Sequence, residues 1–138
     1  MGLLNRKSLL EKQELQTQKV DLGDDYIYVR EMTGRERDNF ERSLRKQVKR
    51  GDKTDYEVSL EDFRAKLVVN TACDEKGDAI FQPSDYSMLS KNISAKRLMT
   101  IADAASELNG ITEDDREDMV KNSEAAPSGN SSSASAES

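Results

Sequence analysis

The chain has 138 residues, 35% of them charged, with a net charge of −6, which suits one domain. It argues against a general nucleic-acid binder, whose affinity rests on Lys and Arg neutralising phosphates. The single cysteine, Cys73, excludes an internal disulfide, and no run of about eighteen apolar residues is present to span a bilayer. The chain contains no histidine, which removes the usual general base, the Ser-His and Cys-His nucleophile pairs and the commonest zinc ligand.

All 27 Leu, Ile, Val and Phe residues fall within the first 121 positions. Residues 1–121 are therefore read as a single helical α+β domain with an aliphatic core, and residues 122–138, dominated by Ser, Ala, Gly and Asn, as a disordered tail. The short apolar pairs near Arg6 and Lys7 are too brief for a signal peptide.

In chain order, Ser8 followed by Glu11 has capping-box spacing and predicts a short helix over residues 9–15. Val20 and Leu22, then Ile27 and Val29, alternate with polar neighbours around Gly23-Asp24-Asp25, which predicts a β-hairpin with one apolar face. Two strands alone are marginal in water, so that face should lie on helices. Thr33 with Glu36 forms a second capping box. It opens a helix expected to run to Arg50 and stop at Gly51, with Phe40, Leu44 and Val48 as its apolar stripe. Residues 51–58 read as a polar loop. Ser59 with Asp62 then caps a long helix over 60–73, apolar or small nearly all round in its second half, which places it at the centre of the fold.

Asp74-Glu75-Lys76-Gly77-Asp78 reads as a tight turn, residues 79–81 as a short extended segment, and Pro83 as the first position of a small helical turn. Ser94 caps the clearest amphipathic helix, with Ala95, Leu98, Ile101, Ala102, Ala105 and Leu108 on one face. Asn109-Gly110 ends it and Ile111 closes across the cap. Thr112 with Asp115 opens a last short helix running to about Lys121. The expected architecture is thus mostly α, with an N-terminal β-hairpin packed on a bundle of about four helices.

Catalytic signatures are sparse. Ser43-Leu44-Arg45-Lys46 matches S-x-x-K without any companion motif. The 74–78 segment resembles the start of a calcium loop, but its acids are wrongly spaced, its glycine is one position early and no closing glutamate follows. Cys73, on the buried helix, reads as a small core residue. The expectation is a binding protein without catalytic activity, metal or cofactor, made and used in the cytoplasm.

Charge distribution is the remaining signal. Residues 30–50 carry eight Lys or Arg against four acids, whereas residues 103–138 carry nine acids against two bases. On a helical projection Arg35, Arg42, Lys46 and Lys49 gather opposite the apolar stripe. They are read either as a solvated face or as a strip for an acidic partner, with Glu113, Asp114, Asp115, Glu117 and Asp118 as the candidate acidic contact in this or another copy.

The segment order adds a further expectation. "RKSLLEKQELQTQKVDLG" leads into "YIYVREMTGRERDNFE", then come "FRAKLVVNTACDEKGDAIF" and "SAKRLMTIADAASELNG" before the polar tail. Over residues 3–121 this resembles the tail assembly chaperones of phages with long non-contractile tails. "YVREMTGRERDNFE" and "LVVNTACDEKGDAIF" carry most of the likeness. The resemblance implies a protein that acts in the infected host's cytoplasm and is absent from the mature virion. It would bind the tape-measure protein, keep it soluble and promote assembly of the tail-tube protein around it. The resemblance also implies, as partners, a longer form of the chain made by ribosomal frameshift and further copies of itself in an oligomer. Two other classes stay open: a small structural head-tail protein retained in the particle, and a nucleic-acid-binding adaptor that uses the basic helix.

Overall fold

The computed structural model describes residues 2–112, 114, 115, 117 and 118. The predicted disordered tail, and the continuation of the last helix to Lys121, lie outside the described residues. The described residues fold as an α+β unit with two small antiparallel sheets among them, one of three strands and one of two.

Helix α1 spans Arg6–Leu10 and is capped by Asn5, whose Oδ1 accepts from the Ser8 amide at 2.9 Å. The helix expected over residues 9–15 therefore starts three residues earlier, at Arg6, and ends at Leu10. Asn5, three residues upstream of Ser8, takes the capping role, and Glu11 stands at the C-cap with extended backbone. The expected hairpin is present as β1 (Thr17–Asp21) and β2 (Tyr26–Arg30), paired from Thr17↔Arg30 to Asp21↔Tyr26. Val20 and Val29 face the core. A third strand, β5 (Ala72–Cys73), pairs with β2 on its other side.

Helix α2 (Gly34–Ser43) opens on the capping box read from the sequence. The Glu36 amide donates to Thr33 Oγ1 at 3.2 Å and the Thr33 amide donates to Glu36 Oε1 at 2.9 Å. It stops at Ser43, seven residues before the expected end at Arg50. Residues 45–58 form a second hairpin, β3 (Arg45–Arg50) and β4 (Lys53–Val58). The physical reason lies in the turn: Gly51 has φ 68° and Gly51-Asp52 is the two-residue loop closing Arg50↔Lys53. A positive φ at the first central position is the pattern of a II′ turn, which matches strand twist. The Ser59 amide donates to the Leu44 carbonyl at 2.6 Å and ties off the base of the hairpin. Phe40 and Leu44 are buried, as expected, but Val48 belongs to the hairpin and is only half-buried.

Helix α3 (Phe63–Thr71) is the centre of the fold, as read, though shorter at both ends: Leu60 is outside it and exposed, and Ala72-Cys73 are strand. Phe63, Ala65, Leu67, Val68, Val69 and Thr71 are all buried, so the helix is covered nearly all round. Thr71 is tolerated inside because its hydroxyl donates to the Leu67 carbonyl at 2.8 Å. Phe40 and Phe63 meet edge-on with ring centroids 5.5 Å apart. The 74–78 turn is closed by Asp74 N–H to the Asp78 carbonyl, and the chain returns to bridge Cys73 with Ala79. A 3-10 turn (Pro83–Asp85) leads into α4 (Tyr86–Asn92).

Helix α5 (Ala95–Leu108) is capped by Ser94 as predicted and lays Ile101, Ala102 and Ala105 against α3 and the first sheet. It ends in a Schellman motif: the Gly110 amide donates to the Glu107 carbonyl and the Ile111 amide to that of Ser106. Ile111 closes across the cap with 6% exposure. Asn109 stitches this end to the β2–α2 link and to α2 itself: its Oδ1 accepts from the Met32 amide at 2.7 Å, and its carbonyl accepts from Arg37 Nη1 at 3.1 Å. Thr112 and Asp115 form the expected reciprocal cap.

Candidate functional site

The four cations read as one helical strip occupy two elements. Arg35 and Arg42 stand exposed on α2. Lys46 and Lys49 lie on β3, and because side chains alternate along a strand and the two are three apart, they project from opposite faces of the hairpin. The strip therefore does not form one surface. Arg42 donates to Asn39 Oδ1 at 2.8 Å. Arg35, Lys46 and Lys49 form no hydrogen bond or ion pair among the described residues. Of the acidic contact, Asp114, Glu117 and Asp118 are exposed and Asp115 is half-buried, while Glu113 lies outside the described residues. Asp115 is held more acidic than an ordinary carboxyl, first by the Thr112 amide and hydroxyl, then weakly by Arg37.

The groups with catalytic potential are each engaged in structure. Ser43 donates its hydroxyl to the Phe40 carbonyl at 2.6 Å, and Lys46 lies on a strand, so the S-x-x-K pattern is not presented on one helix. Asp74 Oδ1 accepts from the Lys76 and Asp78 amides, and such backbone bonds, that with Asp78 first, hold its carboxyl below the ordinary range. Burial pushes the Cys73 thiol up, with Asp74 and Asp78 adding to it and Arg30 opposing, which disfavours the reactive thiolate. No cluster of metal-ligating side chains occurs among the described residues, and no described helix is long and apolar enough to cross a membrane.

A cleft of about 490 Å³ opens between α2, α3 and residues 79–86. Part of its polar lining is already committed. Arg30 chelates Glu36 through both Nη atoms, at 3.1 and 2.8 Å. Burial raises the Glu36 carboxyl, but the Arg30 and Thr33 hydrogen bonds and the Arg30 charge outweigh it and hold the group ionised below its usual range. Lys66 Nζ donates to the Ser43 carbonyl at 2.9 Å and sits 5.0 Å from the Tyr86 ring centroid. These groups hold elements together, and Phe81 and Pro83 add apolar walls to the cleft.

The β3–β4 hairpin was missed by sequence reasoning as a surface. Its residues 45–58 hold five Lys or Arg and three acids, so the rest of the chain carries a net charge of −8. The missed signal was Gly51-Asp52, a two-residue turn pair ahead of the alternating segment Lys53-Thr54-Asp55-Tyr56-Glu57-Val58. No family model matches the chain, and no characterised protein or solved structure is significantly similar to it.

Proposed function

We infer that the protein is a non-catalytic tail assembly chaperone of a long-tailed phage, which binds the tape-measure protein, keeps it soluble and promotes assembly of the tail tube around it. The observation that carries this reading is the order of segments, above all "YVREMTGRERDNFE" and "LVVNTACDEKGDAIF". The first builds the end of β2, the Thr33 cap and most of α2, and the second the buried half of α3 and the 74–78 turn.

The chemistry of the surface supports the same reading. Ser43 and Asp74, singled out in the sequence, are tied into structural hydrogen bonds, while α2 and the hairpin present exposed cations, Arg35, Arg42, Lys46 and Lys49 among them. A protein that escorts a long client needs adhesive surface and solubility, and a strongly charged exterior supplies the second. Work in the host cytoplasm and absence from the finished particle belong to this proposal.

Co-expression with fragments of the tape-measure protein encoded beside it is the test. An otherwise insoluble fragment should be recovered as a soluble complex. Insolubility of every fragment would remove the reading. Mass spectrometry of purified particles separates the structural alternative, because a head-tail component would remain in them.

A further inference from the structure

The β3–β4 hairpin has two chemically different faces. Pairing puts Arg45, Gln47 with Tyr56, and Lys49 with Thr54 on one face, and Lys46 with Glu57, Val48 with Asp55 and Arg50 with Lys53 on the other. The second face is partly neutralised: Arg50 bonds Glu57 at 3.2 Å and lies 3.9 Å from Asp55, and these two acids stand among three cations. The first carries no acid. Arg45, Gln47, Lys49, Thr54 and Tyr56 are all exposed, Tyr56 at 60%, and neither cation has an ion-pair partner among the described residues. Tyr56 and Arg45 belong to residue types enriched at interfaces, and they stand exposed on a two-stranded sheet that is marginal by itself.

A complementary surface lies elsewhere on the same molecule. A cleft of about 320 Å³ separates α3 from the end of α5, floored by Phe63, Ala102 and Ile111. Asp103 and Glu107, four residues apart on α5, stand exposed on its rim, and neither forms an ion pair among the described residues. Like charges at this spacing repel, which a cationic partner would relieve. Past Thr112 the acidic character continues through Asp114 and Asp115. Arg64 is the cation on this rim, and the acids outnumber it.

We propose that the acid-free hairpin face docks in this cleft on a second copy of the chain, with the Tyr56 ring on the apolar floor and Arg45 and Lys49 against Asp103 and Glu107. The occupant is argued from charge: the arm is positive, the rest of the chain is net negative, and the cleft rim is acidic. Arm and cleft are different surfaces, so the contact is heterologous and repeats head to tail. The proposal holds whether or not the client is a tape-measure protein.

The test uses two full-length variants. One disables the arm (Lys49→Glu with Tyr56→Ala) and the other the cleft (Asp103→Lys with Glu107→Lys). All four positions are exposed, so circular dichroism should match wild type. Sedimentation of wild type at low salt should show a concentration-dependent series of oligomers. Each variant should lose association by roughly tenfold or more. Mixing the two variants should give a dimer and nothing larger, because one competent arm and one competent cleft remain per pair. Wild type that stays monomeric at every concentration, variants that assemble like wild type, or a mixture that stays monomeric would each overturn the proposal.

Discussion

Glu36 accepts both Nη groups of Arg30 while its Oε1 also receives the Thr33 amide, so one carboxylate caps α2 and neutralises the cation at the end of β2. The Arg30 side chain is 10% exposed and that of Glu36 34%. Arg30 Nε, buried without a hydrogen-bond partner, makes the arginine still more dependent on this one anion. Glu36→Gln keeps an acceptor for the cap but strands the buried charge, and should cost about 1–3 kcal/mol, discounted for the partial exposure of Glu36. Because the Glu36 carboxyl is more acidic folded than unfolded, its contribution is complete above the ordinary carboxyl range and is lost as pH falls through that range to the depressed folded value. Melting temperatures of wild type and variant should therefore converge at acid pH. A gap that stays constant with pH would place the loss elsewhere.

Leu67→Asp should abolish folding. Leu67 is 0% exposed within the core cluster that joins α2, α3 and α5, and a buried unpaired carboxylate there costs several kcal/mol. Leu67→Ala, a milder change, should cost about 2–5 kcal/mol. Denaturant titration followed by circular dichroism checks both, and an aspartate variant with native melting would remove α3 from the centre of the fold.

Local rules made most of the framework legible. Alternation gave β1 and β2, and reciprocal Thr–Glu and Thr–Asp spacings gave the starts at Thr33 and Thr112. The Asn109-Gly110-Ile111 sequence gave the Schellman end of α5. What escaped was decided by competition between patterns. Phe40, Leu44 and Val48 recur every four residues and fit a helix, yet Leu44 gives its carbonyl to Ser59 and the chain turns into β3. Likewise Asn5 and Ser8 both suit a cap, and the earlier one took it. Charges chosen on a helical projection were scattered once residues 45–50 proved extended, so Arg35 and Arg42 were separated from Lys46 and Lys49. The contact between Cys73 and Ala79, and the addition of β5 to the hairpin, depend on the path of the chain around α3 and leave no local trace.

The turn at Gly51 gives a separable measurement. Its φ of 68° disfavours any residue with a Cβ, although a Cβ there would meet open space, so Gly51→Val strains conformation without a clash. The cost should be about 1–2 kcal/mol and should fall on the hairpin, since residues 45–56 are exposed apart from the half-buried Val48. Hydrogen exchange should speed up across residues 45–58 while protection in α3 and α5 persists. Loss of protection throughout would show that the arm and core unfold as one unit.

Truncation after Lys121 should leave the melting temperature within a few degrees of the full chain. The removed residues contain no Leu, Ile, Val or Phe, so little apolar burial is available to lose. A large fall would mean that residues 122–138 pack on the domain.

Charge reversals on α2 should separate long-range attraction from contact. Arg35 and Arg42 are exposed, and among the described residues Arg42 bonds Asn39 alone and Arg35 has no hydrogen-bond or ion-pair partner. Reversing both to Glu should change stability by about 0.5 kcal/mol or less. Neither lies on the acid-free hairpin face, so their influence on an acidic partner is through the field, which decays over about 8 Å at physiological ionic strength. A field effect acts mainly on the rate of encounter, whereas a contact acts mainly on the rate of escape. The double reversal should therefore slow association several-fold at low salt, leave dissociation nearly unchanged and become invisible at high salt. Lys49→Glu should instead accelerate dissociation, and part of that effect should survive high salt because the contact with the partner excludes water. Surface-immobilised binding kinetics at two ionic strengths resolve the two behaviours. If the α2 reversals accelerate dissociation as strongly as Lys49→Glu, the contact surface extends onto the helix and the hairpin face is only part of it.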